Sequence, residues 1–248
     1  ADPACAALAR GAAVLCEKPL AATVDGAERM SAAAAASDAV AGVGFNYRFA
    51  PNAERARELV AAGTLGAVRR VRARYLQDWL VDPEAPWAWR MDAELAGSGA
   101  LGDLGAHTID LARFLVGDRV GGLDRVSGKL TTFVDERPVY GEDGSVAEYR
   151  DVTVDDAYSA QVEYETGATG TFAASRVAAG HKNDHAIAVH GTEGSLTFSL
   201  ERLNELEVLR AGNRGYETVL VTEESDPYVD RWWPPGHVIG WEHTFVHE

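Results

Sequence analysis

The spacing of apolar residues separates an amino-terminal part, in which helix and strand alternate, from a longer part dominated by strands. Up to residue 45, apolar runs at 13–16 and 40–45 have the length of buried strands, and helix-prone segments at 4–10 and 24–36 precede them. Thr23 is a candidate N-cap for the second helix. Helices alternating with short buried strands are typical of a parallel sheet. Two strands cannot complete such a sheet, so we expect most of it to lie outside this chain.

The pattern changes after residue 50. Residues 51–62 predict an amphipathic helix with Pro51 in its first turn and Gly63 after its end. From Val68 to Trp79, apolar and charged residues alternate with a period of two, which predicts a strand with one buried face. One more helix is predicted at 104–116, and further strands at 122–134, 152–165, 168–177, 185–190, 195–200, 205–210 and 218–221. Turn pairs between these strands favour a large, mainly antiparallel sheet. The acidic stretch 142–156 is interpreted as a solvated loop.

Charge and composition restrict the class of partner. The chain has 248 residues with 23 Lys+Arg against 38 Asp+Glu, a formal net charge of −15. Such a field repels phosphate, so we expect neither nucleic acid nor a membrane as a partner. We see no membrane-spanning run and no secretory signal, and two cysteines suit a reducing compartment, so we expect a cytoplasmic protein. Since the chain begins with Ala and ends within a helix-like segment, we also expect it to be a fragment.

The first candidate for chemistry is Lys18, within Glu17-Lys18-Pro19 directly after the first predicted strand. Ligands of open α/β sheets bind at the carboxyl ends of strands. A lysine desolvated there has a lowered pKa and can exchange a proton with a hydroxyl. Pro19 is a candidate for a cis peptide bond. The simpler explanation of this tripeptide alone is an exposed loop lysine beside a turn proline.

A second candidate lies in the glycine-rich segment from Gly97 to Asp110. Its glycines permit close approach of a ligand to the backbone. Asp103 and His107 are four residues apart and so share a helix face. The helix dipole lowers the pKa of His107 and Asp103 raises it, so we expect titration near neutrality, as suits a general base. A capping Asp with a hydrogen-bonded His explains the segment equally well. The predicted core-facing positions are Leu104, Leu111 and Leu115.

Two further histidine pairs have the spacing of metal ligands. His181 and His185 are four apart, as are His243 and His247. Neither pair has a matching set of cysteines or carboxylates. We therefore expect surface or hydrogen-bonding histidines and no metal.

Taken together, three segments resemble the Gfo/Idh/MocA family, named for glucose-fructose oxidoreductase and inositol dehydrogenase. They are 11–21 (GAAVLCEKPLA), 44–48 (GFNYR) and 99–110 (GALGDLGAHTID). Further motifs are similar to a branch that includes levoglucosan dehydrogenase; they lie at 75–79 (YLQDW), 89–90, 175–176, 190–194 and 201–202.

The resemblance implies an α/β fold: the remnant of a Rossmann dinucleotide-binding domain (1–48), followed by an open-sheet α+β domain (49–248) for substrate binding and oligomerisation. It implies oxidation of a hydroxyl of a sugar, anhydrosugar or polyol by NAD or NADP, in a homodimer or homotetramer built through the open sheet. Lys18, Asp103 and His107 match the catalytic residues of the family. His107 would accept the hydroxyl proton as hydride leaves for nicotinamide C4, while Lys18 polarises the oxygen and Asp103 orients both.

Position along the same motifs implies the remaining site residues. The cofactor-binding candidates are Glu17, Lys18, Pro19, Asn46 and Tyr47. The substrate-binding candidates are Gln77, Asp78, Trp79, Arg90, Asp103 and His107.

Two alternatives of the same fold stay open: an NAD-dependent enzyme that cleaves glycosides by transient oxidation, and a non-catalytic, dinucleotide-gated sugar sensor. The chain has no glycine-rich dinucleotide fingerprint. The choice between NAD and NADP is therefore open, and we expect this chain alone to bind a dinucleotide poorly.

Overall fold

The computed structural model describes residues 1–232, 234–241 and 243–247. Its amino-terminal part consists of α1 (Asp2–Leu8), β1 (Val14–Cys16), α2 (Val24–Ala35) and β2 (Ala41–Val43). The two strands are parallel neighbours. Thr23 caps α2 as predicted, because its hydroxyl oxygen accepts a hydrogen bond from the N–H of Gly26 at 3.1 Å.

The second part is built around one large sheet. Its helices are α3 (Pro51–Ala61), α4 (Ala93–Ala96), α5 (Ala106–Val120), α6 (Val229–Trp232) and α7 (His243–His247). A π-helical turn, Leu101–Gly105, leads directly into α5. Its strands are β3 (Val68–Leu76), β4 (Leu123–Thr131), β5 (Glu136–Tyr140), β6 (Val146–Asp151), β7 (Ala157–Tyr164), β8 (Thr169–Ser175), β9 (Asp184–Gly191), β10 (Ser195–Ser199), β11 (Glu205–Leu209) and β12 (Glu217–Leu220). None of the helices in the described ranges is both long and apolar enough to cross a bilayer.

Eight strands pair in the order β12-β11-β10-β9-β3-β8-β7-β4. Only β3 and β8 run parallel to each other in this sheet; the other pairs are antiparallel, which confirms the mainly antiparallel open sheet. Helices α3 and α5 cover one face of the sheet. The core lies between the helices and that face, where the side chains of Val71, Ala73 and Tyr75 alternate inward along β3. This arrangement brings the start of α5 close to the end of β3.

The interpretation of residues 142–156 as a solvated loop is wrong. Strand β6 lies within this stretch and pairs with β5 in a separate hairpin. Val152 and Val154 are buried against Leu80 and Met91 in a small second core. The acidic stretch packs onto the rest of the protein because the burial of these two valines is favourable.

Candidate active site

Lys18 follows β1, and its side chain reaches the π-helical turn before α5. Its Nζ donates to the Oδ1 and to the backbone oxygen of Asp103, each at 2.9 Å. The two side chains are 19% and 30% exposed. Lys18 is therefore not the free loop lysine of the simpler explanation, and the Lys18–Pro19 peptide bond is cis. This ion pair joins residues 85 positions apart.

His107 lies in the first turn of α5, and its ring is 8% exposed. Burial and then the positive charge of Lys18 lower the pKa of His107 to about 4, while Asp103 opposes them. The expectation of titration near neutrality was wrong because it left out the cost of burying a charge, which outweighs the carboxylate. At neutral pH His107 is therefore an uncharged imidazole that can accept a proton.

The glycines before α5 lie close to other parts of the chain. A Cβ on Gly99 would lie 1.9 Å from the backbone oxygen of Asp155, and one on Gly105 would lie 2.7 Å from the ring of Tyr158. These glycines let the segment that carries Asp103 pack tightly against β7 and the residues before it. Packing within the chain thus accounts for the glycines at 99 and 105.

A chain of hydrogen bonds runs beside His107. The indole N–H of Trp79 donates to Gln77 Oε1 at 3.0 Å, and Gln77 Nε2 donates to Asn183 Oδ1 at 2.8 Å. The Tyr75 hydroxyl donates to the same Asn183 oxygen at 2.7 Å, and the hydroxyls of Tyr47 and Tyr75 are 2.8 Å apart.

The direction of this chain follows from its first member. An indole N–H can only donate, so Gln77 must present its oxygen to Trp79 and its nitrogen to Asn183. Since Tyr75 gives its hydrogen to Asn183, Tyr47 donates to Tyr75. The lone pairs of the Tyr47 oxygen are thereby left as acceptors beside His107, whose ring centroid is 4.6 Å from that of Tyr47.

His185 packs against Tyr75, one member of this chain of hydrogen bonds. Its imidazole is fully buried and stacks on Tyr75, with ring centroids 4.7 Å apart and an interplanar angle of 12°. Neither ring nitrogen has a hydrogen-bond partner among the described residues. Burial lowers the pKa of His185 to about 3. The expectation of a surface or hydrogen-bonding histidine at this position was wrong.

The remaining candidates lie around this centre in different settings. Glu17, Pro19 and Asn46 are exposed. The Asp78 carboxylate accepts from Lys182 Nζ at 2.7 Å and from the N–H of Gly180 at 3.2 Å, which lower its pKa.

Arg90 is exposed on the surface, with its guanidinium 4.5 Å from the centroid of the Trp89 ring. Lys18 contacts Asp103, and both lie near His107. His107 packs on Tyr47, which is connected to Gln77 and Trp79 by the chain of hydrogen bonds described above. Asp78 and Arg90 contact other residues instead.

The histidine pairs considered as metal ligands are placed separately. His181 Nδ1 is 3.0 Å from Asp184 Oδ2, while His185 is part of the aromatic stack. His243 lies in α7, and the side chain of His247 is outside the described residues. Within 1–232, 234–241 and 243–247, no group of three or more His, Cys, Asp or Glu side chains has the geometry to hold a metal.

Sequence reasoning missed Asn183 and Asp155 and misjudged His185. Tyr75 was placed only within the alternating strand at 68–79 and the motif at 75–79, with no role for its hydroxyl. Alternation could not show that its hydroxyl would find Asn183, 108 positions away. Asp155 was hidden in the predicted solvated loop, where Val152 and Val154 were the available signal for burial.

Comparisons with known proteins agree with this architecture. The model described as GFO/IDH/MocA C-terminal domain matches residues 53–197, and the one described as oxidoreductase family, NAD-binding Rossmann fold, matches residues 1–45. Levoglucosan dehydrogenase of Pseudarthrobacter phenanthrenivorans is 38% identical over 261 residues, which cover 100% of this chain and 66% of that protein.

Solved structures give the same result. An oxidoreductase domain protein from Kribbella flavida superposes with a TM-score of 0.89 at 50% identity, covering 99% of this chain and 66% of that one. A levoglucosan dehydrogenase in complex with NADH and L-sorbose superposes with a TM-score of 0.90 at 38% identity, covering 100% and 65%. The chain thus spans about two thirds of the length of these relatives.

Proposed function

The chain belongs to the Gfo/Idh/MocA family of oxidoreductases, and we propose that its activity is the oxidation of a hydroxyl of a sugar, anhydrosugar or polyol with NAD or NADP. The observation that carries this proposal is the 2.9 Å contact between Lys18 Nζ and Asp103 Oδ1, beside an uncharged His107. Alcohol oxidation requires a cation that binds the hydroxyl oxygen and a base that accepts the hydroxyl proton.

Each of the three side chains has a distinct task. Lys18 donates a hydrogen bond to the reacting hydroxyl oxygen and stabilises the negative charge that develops there. His107 accepts the hydroxyl proton, because its lowered pKa keeps the imidazole uncharged. Asp103 holds the ammonium of Lys18 in place. A nicotinamide held at the ends of β1 and β2 would supply the hydride acceptor, so that the alcohol would lose a hydride and a proton and become a carbonyl compound.

The fit of a nicotinamide rests on the two parallel strands. Lys18 follows the carboxyl end of β1, and Tyr47 follows that of its neighbour β2. Ligands of open α/β sheets bind at this edge, so Glu17, Lys18, Pro19, Asn46 and Tyr47 are the residues proposed to hold the nicotinamide end. In the described part of the chain no glycine-rich turn leads from a strand into a helix N-terminus. The residues present thus fit the nicotinamide end alone.

The proposed substrate class is an anhydrosugar or a related polyol. The relative that is 38% identical is named levoglucosan dehydrogenase, and levoglucosan is an anhydrosugar. The acceptor oxygen of Tyr47 can bind a sugar hydroxyl, and the indole of Trp79, which is 44% exposed, offers a face for stacking. Gln77 orients that indole. We place Asp78 and Arg90 at the rim of the site.

The test uses the native full-length protein and a panel of levoglucosan, L-sorbose, other anhydrosugars and polyols, each with NAD and with NADP. We expect net formation of reduced nicotinamide with at least one of them, and a loss of about 10²- to 10³-fold in kcat/KM for Lys18→Met, measured well below the melting temperature of the variant. Undiminished turnover by K18M would contradict the role of Lys18. Cleavage of a glycoside without net reduced nicotinamide, or sugar binding without turnover, would replace the proposal by one of the two alternatives.

The domain boundary is proposed to lie between residues 48 and 49, shortly before α3. We also propose a cytoplasmic location, which is consistent with the absence of a disulfide between Cys5 and Cys16.

A second copy of the chain is the proposed partner of the uncovered face of the sheet. A cavity of about 920 Å³ on this face is lined largely by small and hydroxyl-bearing side chains. Arg70 and Arg72 on β3 have no ion-pair partner in the described ranges, whereas Glu205 and Glu207 on β11, near one edge of the sheet, both lie within ion-pair distance of Arg202. A two-fold arrangement can set the arginines of one copy against the glutamates of the other. We expect Arg72→Glu to convert a dimer or tetramer to a smaller species in light scattering; an unchanged mass would contradict this interface.

A further inference from the structure

The start of the helical segment that carries Asp103 and His107 is bound by two side chains: Ser98 Oγ accepts from the N–H of Gly102 at 3.0 Å, and Asp155 binds the three residues before Gly102. The Asp155 carboxylate accepts from the N–H of Gly99 at 2.9 Å and from that of Leu101 at 2.8 Å, and its backbone oxygen accepts from the N–H of Ala100 at 2.9 Å. The first N–H groups of a helix have no partner within the helix. Here the N–H of Leu101, at the start of the helical segment, and those of Gly99 and Ala100 just before it all donate to one residue 54 to 56 positions further along the chain.

Asp155 is itself held firmly. It is 6% exposed, and the fully buried Arg176 donates from Nη2 to its backbone oxygen at 2.8 Å. Gly99 packs so closely on it that a Cβ would lie 1.9 Å from that same oxygen. The start of the helical segment is thus bound to a buried, hydrogen-bonded residue next to β7.

This contact is one helical turn from the Lys18–Asp103 pair. The N–H of Asp103 donates to the Gly99 oxygen at 2.9 Å. Lys18 follows β1, in the other part of the chain, and reaches Asp103 only through its side chain. A shift in the start of the helical segment would therefore change the distance between Lys18 Nζ and the Asp103 carboxylate.

We propose that Asp155 is a positioning residue, which sets the distance between Lys18 and Asp103 by docking the N–H groups of residues 99–101. This inference rests on the proposed function, because the pair it positions is the one assigned to hydroxyl oxidation. A displacement of about 1 Å in a catalytic group can reduce turnover about 10²-fold. Asp155 thus controls turnover without touching the substrate.

Asp156, the next residue, provides a matched control. It is fully buried, and its Oδ2 accepts from the N–H groups of Phe133 at 2.7 Å and Val134 at 3.2 Å. Asp155→Asn and Asp156→Asn each remove one buried carboxylate that binds two backbone N–H groups. Only the first lies against the segment that carries Asp103.

The experiment compares both variants in the native full-length protein, at a temperature well below both melting transitions. Steady-state rates with levoglucosan and NAD or NADP, and the NMR titration of the His107 ring, are recorded for each. We expect D155N to lose about 10- to 100-fold in kcat and D156N to stay within about twofold. We also expect the pKa of His107 to rise in D155N alone, because its ring becomes less buried and further from Lys18.

The outcomes separate the two proposals. Equal losses in kcat for D155N and D156N, or an unchanged His107 titration in D155N, would overturn the positioning role. If the unmodified protein oxidises no member of the panel, the proposed function fails, while the His107 titration still reports on positioning. If D155N does not fold, the test uses Asp155→Glu, which keeps the charge but lengthens the side chain, and its control is Asp156→Glu. Wild-type kcat in D155E would then overturn the proposal.

Discussion

The buried imidazole of His185 predicts how stability depends on pH. Its ring lies between Tyr47, Tyr75 and Phe198, with centroids 4.7 to 6.0 Å away, and neither nitrogen has a partner in the described ranges. The folded protein therefore resists protonation, and the pKa of His185 falls from the ordinary 6.5 to about 3. The unfolded chain takes up this proton near pH 6.5, so stability must fall as the pH is lowered below that value.

The size of the effect follows from the two pKa values. Between about pH 6.5 and about pH 5, an unfolded histidine goes from about half protonated to almost fully protonated while His185 stays almost unprotonated, which lowers the free energy of unfolding by about 1.6 kcal/mol. His107 adds a similar amount, since its pKa is about 4. The two together are expected to remove about 3 kcal/mol over this interval.

The variant that tests this is His185→Phe, which keeps a ring in the stack and removes the titrating group. Urea unfolding at several pH values should give a curve for H185F that parallels the wild type above about pH 7.5 and declines by about 1.6 kcal/mol less between about pH 6.5 and about pH 5. Equal declines for both proteins would refute the reasoning, because they would mean that His185 accepts a proton in the folded state.

Three further predictions concern stability and are checked by urea unfolding at neutral pH. Gly99→Ala should cost about 3 kcal/mol or more, since the new Cβ meets a backbone oxygen. Gly117→Ala, in open space within α5, should instead gain about 0.5–1 kcal/mol; similar effects of the two would show that the close approach at Gly99 is not rigid. Tyr75→Phe should cost about 1–3 kcal/mol, because it removes the link to Asn183 but keeps the ring; a neutral effect would show that the hydroxyl chain contributes nothing. Arg137→Met should cost about 1–3 kcal/mol, because the fully buried guanidinium donates to the backbone oxygens of Leu80 and Asp82. A cost within error of zero would contradict the role of that arginine in holding the β5–β6 hairpin.

The elements that the sequence predicted well are those determined by neighbours along the chain. Thr23 caps α2, Pro51 opens α3, and the alternation after Val68 gives β3 with Tyr75 on its buried face. Helix capping and periodicity depend on contacts within a few residues, so they can be recognised without tertiary structure. The three motif segments likewise identified Lys18 and Asp103 as candidates.

Only the tertiary structure determined which of these candidates are in contact and how their surroundings change their pKa values. The Lys18–Asp103 contact spans 85 positions, the Tyr75–Asn183 bond 108, and the bonds from Asp155 to the start of the helical segment 54 to 56. The charge state of His107 could not be predicted from its helix position, because desolvation depends on what the rest of the chain places around the ring. Local sequence thus determined the elements and identified the candidate site residues, whereas burial and long-range packing determined the geometry and protonation of those residues.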